Sequence, residues 1–409
     1  MSKEYLSSLY QTAVDACRPQ YCLPEAFKRF SPDQRVCILG AGKAAADMAA
    51  QAYAYFKDNA YGAVVTRYGY QSTQPTGAIE VMLAAHPVPD ENSQHAARRL
   101  LDIASQVPAD EQVIFLISGG GSALACLPAG DITLEEKLAL HRFLLRSGAT
   151  IEEMNTVRKH VSDFKGGRLA AACNGQLTTL AISDVTGDDA QIIASGPTVF
   201  DSSTPAQALA ILQHYQWPED NAVTRHLEQA PPLPQVEGIY EIVANAQRSI
   251  DAAVEVAQAD GWKTEIISIE ETGEAREVAR RHAELALKYK QQGEAILLFS
   301  GGELTVTLGD SDGQGGPNQE YLMSLCQALE GAKGISALAA DTDGVDGSKD
   351  VAGGFIDATS LTRVQKQGLD IEALLANHDS FPFFAALDDH IDVGPTRTNV
   401  NDFRVIMIT

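Results

Sequence analysis

The sequence is poor in the features that mark stapled, membrane-bound or nucleic-acid-binding chains. Its six cysteines (Cys17, Cys22, Cys37, Cys126, Cys173 and Cys326) are scattered with no C-x-x-C pair. That spacing excludes a disulfide framework and the usual zinc site, and it fits a reducing cytoplasm. Nine histidines include no H-E-x-x-H, the usual first sign of a zinc hydrolase. Positive charge is scarce: 31 Lys+Arg against 54 Asp+Glu give −23, an excess that opposes phosphate backbones and anionic lipid, so neither nucleic acid nor membrane is expected as a partner. The longest apolar runs, 113–117 and 295–299 among them, are only strand-sized, and the start has no apolar core behind a basic flank. No spanning or targeting segment is expected. With 33 Gly and 17 Pro in 409 residues, and 45% hydrophobic residues, the composition is that of an ordinary globular chain of two or three domains.

What is present is a repeated phrase. Apolar runs end in glycine clusters three times: 36–39 before Gly-Ala-Gly-Lys, 113–117 before Ser-Gly-Gly-Gly-Ser, and 295–299 before Ser-Gly-Gly-Glu. Alanine-rich segments of helical spacing follow at 44–56 and 319–329, so the class is α/β with a largely parallel sheet. The rhythm breaks at 228–240, where Pro231, Pro232 and Pro234 and the lack of helical period place a domain boundary near Pro234. The expected domains are therefore 1–234 and 235–409. A mixed-charge helix over about 273–291 reads as a solvated face without a function of its own.

The first glycine turn brings Gly40 and Gly42 to the mouth of a helix, where free amides and the helix dipole favour an anion, and Lys43 adds a full charge. The same letters parse as the dinucleotide fingerprint G-x-G-x-x-A, but that reading wants an acidic residue about 20 positions on. Arg67 stands there. A P-loop also fails, since its first glycine falls on Cys37 and its last position is Ala44. A plain tight strand–helix turn is the structural alternative. The second turn, Ser118, Gly119, Gly120, Gly121 and Ser122, allows amides to curl around a phosphate. It is not a nucleophile elbow, because Leu124 stands two places beyond Ser122, and close helix packing is its structural alternative.

Arg158, Lys159, Lys165 and Arg168 concentrate positive charge in an acidic chain. On a continuous helix Arg158, Ser162 and Lys165 share one stripe, which suits an anionic substrate, with a solvated basic face as the alternative. His160 is expected to be packed rather than titrating. Two acidic groups follow expected strands: Asp184, Asp188 and Asp189, then Asp341, Asp343 and Asp346. Such oxygen-rich turns suit Mg²⁺, although each aspartate alone could equally cap a helix or hold a turn. An EF-hand does not fit, because its fifth position is Val345 and its twelfth Ala352.

Taken together, GAGKAAADMA at 40–49, HPVPDENS at 86–93, SGGGSAL at 118–124, NTVRKH at 155–160, KGGRLA at 165–170 and SDVTGDD with SGPT between 183 and 198 form an ordered set. SGGELTVT at 300–307, GGPNQE at 315–320, DTDGVDG at 341–347 and GPTRTNVND at 394–402 continue it. In these blocks the chain resembles the type-2 glycerate kinases, ATP-dependent glycerate 2-kinases whose C-terminal part is the MOFRL domain. The resemblance implies a Rossmann-like N-terminal domain, a smaller α/β MOFRL domain and an active site in the cleft between them. It implies transfer of the ATP γ-phosphate to the 2-hydroxyl of D-glycerate, with Mg²⁺ as cofactor, in a cytoplasmic enzyme for which a homodimer stays open.

The site residues expected on this basis fall into four groups. Lys43 matches the family's catalytic lysine, with Asp184 and Asp189 as candidate bases. Gly40, Gly42, Ser118, Gly119, Gly120, Gly121, Ser122, Ser300, Gly301, Gly302, Glu303, Asn318 and Glu320 are expected to bind the nucleotide. Arg158, Lys159 and Arg168 are candidates for the substrate carboxylate, and Asp188, Asp341 and Asp343 for the metal. Two departures stand out: Pro317 occupies the place of an arginine found in many members, and Arg397 the place of a frequent glycine. Arg397 is therefore expected to replace the missing cation. Two rival readings are an NAD(P)H-dependent hydroxypyruvate reductase, in which Arg67 meets an NADP phosphate, and a nucleotide-binding homologue that has lost catalysis.

Overall fold

Buried on both faces, strands β1 (Val36–Ala41) and β4 (Gln112–Ile117) read as unbroken apolar runs because helices cover both sides of their sheet. The computed structural model describes residues 2–309 and 311–409. With β2 (Ala60–Arg67), β3 (Ala78–Ala84), β5 (Gln176–Ile182) and β6 (Ile239–Ala244), these strands form a sheet of order β3-β2-β1-β4-β5-β6. Strands β3, β2, β1, β4 and β5 pair in parallel. This is the doubly wound order, and its crevice lies where the chain reverses direction, at the carboxyl ends of β1 and β4. Both glycine turns leave the sheet at that point.

The second sheet holds β7 (Lys263–Glu274), β8 (Ile296–Thr305), β9 (Ile335–Asp341), β10 (Gly353–Asp357), β11 (His390–Ile391) and β12 (Asp402–Ile408), in the order β11-β10-β9-β12-β8-β7. Only β7 and β8 pair in parallel; the β8–β12, β12–β9, β9–β10 and β10–β11 pairs are antiparallel. The parallel arrangement expected from the βα rhythm thus belongs to the first sheet. Helices Ala275–Gln292 and Pro317–Leu329 contribute to one apolar core of this sheet.

The chain divides into two units, Cys22–Val243 and a second one in which residues 2–21 join Ala244–Thr409. Helix Ser2–Ala16 goes with the second because Leu6, Leu9, Tyr10, Ala13 and Val14 share a core with Ile250, Ala253, Leu297, Phe299 and Phe403. The proline-rich stretch near Pro234 is not the dividing point. It buries Leu233 and leads into β6 at the edge of the first sheet.

Candidate functional site

The two glycine turns of the first unit are bonded to each other. A Cβ on Gly40 would lie 2.6 Å from the Leu116 carbonyl oxygen, and one on Gly42 (φ +147°) would lie 2.1 Å from Ser118 Oγ. Glycine is required for that approach. The amides of Gly42, Lys43 and Ala44 then donate to Val65 O (3.1 Å), Gly119 O (2.8 Å) and Ser118 Oγ (3.0 Å). The open amide cradle expected at the first turn is therefore closed inside the fold. Gly120 (φ +81°) caps the short helix Gly121–Leu124, and a Cβ there would meet the His86 ring at 2.8 Å and Lys43 Cγ at 3.5 Å. Lys43, His86 and the second turn are thus immediate neighbours.

The basic segment is not one helix. Helix Ile151–His160 starts at a Thr150–Glu153 capping box and stops at His160. Ser162 Oγ organises the turn that follows, donating to Leu127 O (3.0 Å) and accepting from the amides of Phe164 (3.2 Å) and Lys165 (3.3 Å). The expected cations part company here. Lys159 forms a buried ion pair with Asp201, and Arg168 Nη1 donates to the carbonyls of Lys159 (2.8 Å) and Lys165 (3.2 Å). Both hold the fold. His160 is held neutral, its pKa pushed down to about 4 chiefly by burial, with Nε2 3.1 Å from Ser203 Oγ.

Arg158 opens instead onto a cavity of about 280 Å³ that also presents His86, Ser122, Lys137, His141 and Lys165 against a wall of leucine and valine. Lys165 Nζ donates to Ser122 O (2.6 Å) and Oγ (2.8 Å), and Ser122 Oγ lies 3.2 Å from Ser195 Oγ. Lys137, on helix Leu134–Ser147, donates to Val161 O (2.9 Å). Arg158 Nη2 lies 3.0 Å from the His141 ring. Burial and the neighbouring cations push Lys165 down to about 7 and His141 down to about 4, and burial also lowers Lys137. The sequence reading gave Lys137 and His141 no role. The available signal was a lysine aligned with Leu140 and Leu144 on the apolar face of its helix.

The acidic turns hold themselves in shape. Beyond β5, Asp189 Oδ1 accepts from the Gln191 amide (2.8 Å), and Asp188 adopts φ +55°. Burial, then the charges of Asp184, Asp188 and Asp189, push the Tyr240 phenol upward. In the second unit Asp341 Oδ1 accepts from the Asp343 amide (2.7 Å), and Asp343 Oδ1 from that of Val345 (2.8 Å). Burial and the negative charges of Asp343 and Asp402 hold the Asp341 carboxyl well above the usual range. Among the described residues, no three His, Cys, Asp or Glu are grouped so as to hold a metal by themselves.

Ser300, Gly301, Gly302 and Glu303 do not form the expected turn; they continue β8. Gly302 pairs with Glu271, and Arg404 donates to the carbonyls of Gly301 (2.7 Å) and Gly302 (3.4 Å). Pro317 takes the first position of its helix, where no amide donor is missed. The next amides, of Asn318 and Gln319, donate to Asp346 (3.0 and 2.9 Å), whose carboxyl burial pushes up to about 7. Asn318 Nδ2 also donates to Asp402 (2.6 Å), and Glu320 receives Arg276 Nε (2.5 Å) and lies 2.9 Å from His378 Nδ1. Arg397 is half-buried at φ +70°, a conformation glycine takes freely.

A doubly wound domain with glycine turns at its switch point, followed by a mixed-sheet unit with acidic turns, defines an α/β enzyme class. Two family models match the chain: residues 5–228 match a domain of unknown function (DUF4147), and residues 296–402 match the MOFRL family. A D-glycerate 2-kinase of Thermotoga maritima is 39% identical over 99% of this chain and 98% of its own. A protein of Agrobacterium vitis named putative hydroxypyruvate reductase is 44% identical over 100% of this chain and 94% of its own. The crystal structure of a Thermotoga maritima glycerate kinase superposes with a TM-score of 0.92 at 37% identity, covering 100% of this chain and 99% of that one. The chain belongs to the MOFRL-containing glycerate kinase family.

Proposed function

We propose that this chain is a glycerate 2-kinase, transferring the γ-phosphoryl group of ATP to the 2-hydroxyl of D-glycerate to give 2-phospho-D-glycerate. The observation that carries the reading is the juxtaposition of Lys43 and the Gly120–Ser122 turn with a cavity that presents Arg158. Phosphoryl transfer is chiefly positioning and charge neutralisation, and it asks little of a general base. Lys43 neutralises charge on the transferring group, the Ser118–Ser122 turn offers backbone donors to phosphate, and the Arg158 fork meets the substrate carboxylate. Arg397 supplies the cation that Pro317 cannot. Asp184 and Asp189, on the turn beyond β5, are the candidate bases.

Hard carboxylate oxygens at Asp341 and Asp343 fit Mg²⁺, and Asp188, on its own turn beyond β5, is a separate candidate ligand. Burial and the charges of Asp343 and Asp402 raise the Asp341 carboxyl, a cost that a divalent cation would relieve. Mg²⁺ typically takes one or two carboxylates and completes its shell from phosphate and water, and it would supply neutralisation of the nucleotide's charge. Asn318 and Glu320, in the first turn of helix Pro317–Leu329, are further candidates for the nucleotide. Scattered free thiols fit a cytoplasmic enzyme.

The reductase reading is favoured by the name of the Agrobacterium relative. Against it, Arg67 at the end of β2 lies over the Tyr70 ring at 5.3 Å, and the first turn's amides are already bonded. ADP release measured against a panel of small hydroxy acids tests the proposal: release that depends on D-glycerate is expected, and its absence with every acid overturns the kinase.

A further inference from the structure

The cavity beside Ser122 has a charge imbalance that goes beyond the role proposed for Arg158, since two buried lysines stand behind it. Among the described residues, its lining contains Lys137, Arg158 and Lys165 and no carboxylate. Lys137 is 7% and Lys165 2% exposed, and both amines donate to uncharged oxygens, of Val161 and Ser122. Arg158 contacts Asn155 Oδ1 (3.3 Å) and the His141 ring. Among the described residues, none of the three pairs with an acid. Buried charge is stable only when compensated, so a cavity walled by uncompensated cations is complementary to an anion. At about 280 Å³ the space is of small-molecule size.

We propose that this cavity binds a small carboxylate, clamped by Arg158 with Lys137 and Lys165 behind it, and that its occupation draws a proton onto Lys165. The naming of D-glycerate as its natural tenant rests on the kinase reading; the site itself does not. The groups facing Lys165 are Ser122, the Cys126 thiol, Lys137 and Arg158, with His86 and His141 in the same wall and Asp163 acting on Lys137. Burial and these cations leave the Lys165 amine half-neutral near pH 7, and a bound anion favours its charged form. Binding above about pH 7 must then take up a proton, and by linkage the affinity weakens as the pH rises, by about tenfold or more between pH 7 and 9.

Calorimetric titration of D-glycerate into the full chain, with and without a non-hydrolysable ATP analogue, reads this directly when repeated in buffers of different ionisation enthalpy. The expected result is uptake of roughly half a proton per ligand at pH 7, approaching one at pH 8. Lys165→Met and Lys165→Arg should both bind without uptake, the arginine variant more tightly, and Arg158→Gln should weaken binding by about tenfold or more. Binding without uptake in the parent, uptake that survives in Lys165→Met, or unchanged affinity in Arg158→Gln overturns the proposal. So does the absence of binding under both conditions. Binding with uptake but no ADP release supports the site and overturns the kinase reading. ADP release whose KM for glycerate is untouched by Arg158→Gln does the reverse.

Discussion

Replacing Lys165 by Met should stabilise the ligand-free protein at neutral pH and lose that advantage in alkali. The Lys165 side chain is 2% exposed, and its amine falls from the ordinary 10.5 to about 7 because burial penalises the charged form. The unfolded chain keeps this proton up to about pH 10.5 and the folded chain releases it near 7. Between those values the unfolded state binds more protons, so this group makes stability rise with pH. At 1.36 kcal/mol per pH unit, the rise between pH 7 and 9 is about 2–3 kcal/mol. Methionine keeps an apolar stem but loses two hydrogen bonds to Ser122, at about 1 kcal/mol each. The variant should therefore lead its parent by roughly 2 kcal/mol at pH 7 and by almost nothing at pH 9. Urea unfolding of both proteins at the two pH values measures the change in their difference. A difference that stays constant across that range refutes the reasoning, because it means the buried amine carries no desolvation penalty.

Lys43→Ala should lower kcat by about a hundredfold or more while moving KM far less; comparable losses in KM would remove Lys43 from transition-state stabilisation. Arg397→Gly removes the guanidinium and puts glycine at a left-handed position that glycine takes freely. If Arg397 supplies the missing cation, the same change lowers turnover on the order of 10³–10⁵-fold, and an unchanged turnover dismisses that role. Asp201→Ala strands the buried Lys159 amine and should cost about 3–5 kcal/mol in unfolding free energy; a loss under about 1 kcal/mol would show the pair to be dispensable. Purified protein mixed with NADPH and hydroxypyruvate should leave nicotinamide absorbance unchanged, and a steady decline would favour the reductase.

The sequence disclosed the doubly wound half because strands covered on both faces must be apolar throughout, as 36–39 and 113–117 are. Glycine at 40, 42 and 119–121 marked where those strands end. What the glycines do there was not legible: the amide of Ala44 meets Ser118, 74 residues away, and only the folded sheet brings them together. The same applies to the basic segment. Four cations looked alike in a linear reading, yet Asp201 claims Lys159 and two carbonyls claim Arg168, which leaves Arg158 and Lys165 facing the cavity. Lys137 does not stand out in the sequence, because a lysine amid leucines reads as a solvated interruption. In the second half, Ser300–Glu303 imitates the earlier glycine turns in letters, but Arg404, about a hundred residues on, binds its carbonyls and keeps it in the sheet. Helix Ser2–Ala16 likewise found its core in residues beyond 244, a pairing that no local pattern encodes.

Phosphorus NMR of the product formed from ATP and D-glycerate, with the phosphorylated carbon assigned by its coupling to the adjacent proton, tests the central claim most directly. The account predicts a phosphate ester on carbon 2 and one ADP for each ester formed. An ester on carbon 3, or glycerate recovered unchanged after prolonged incubation with Mg²⁺ and ATP, would contradict it.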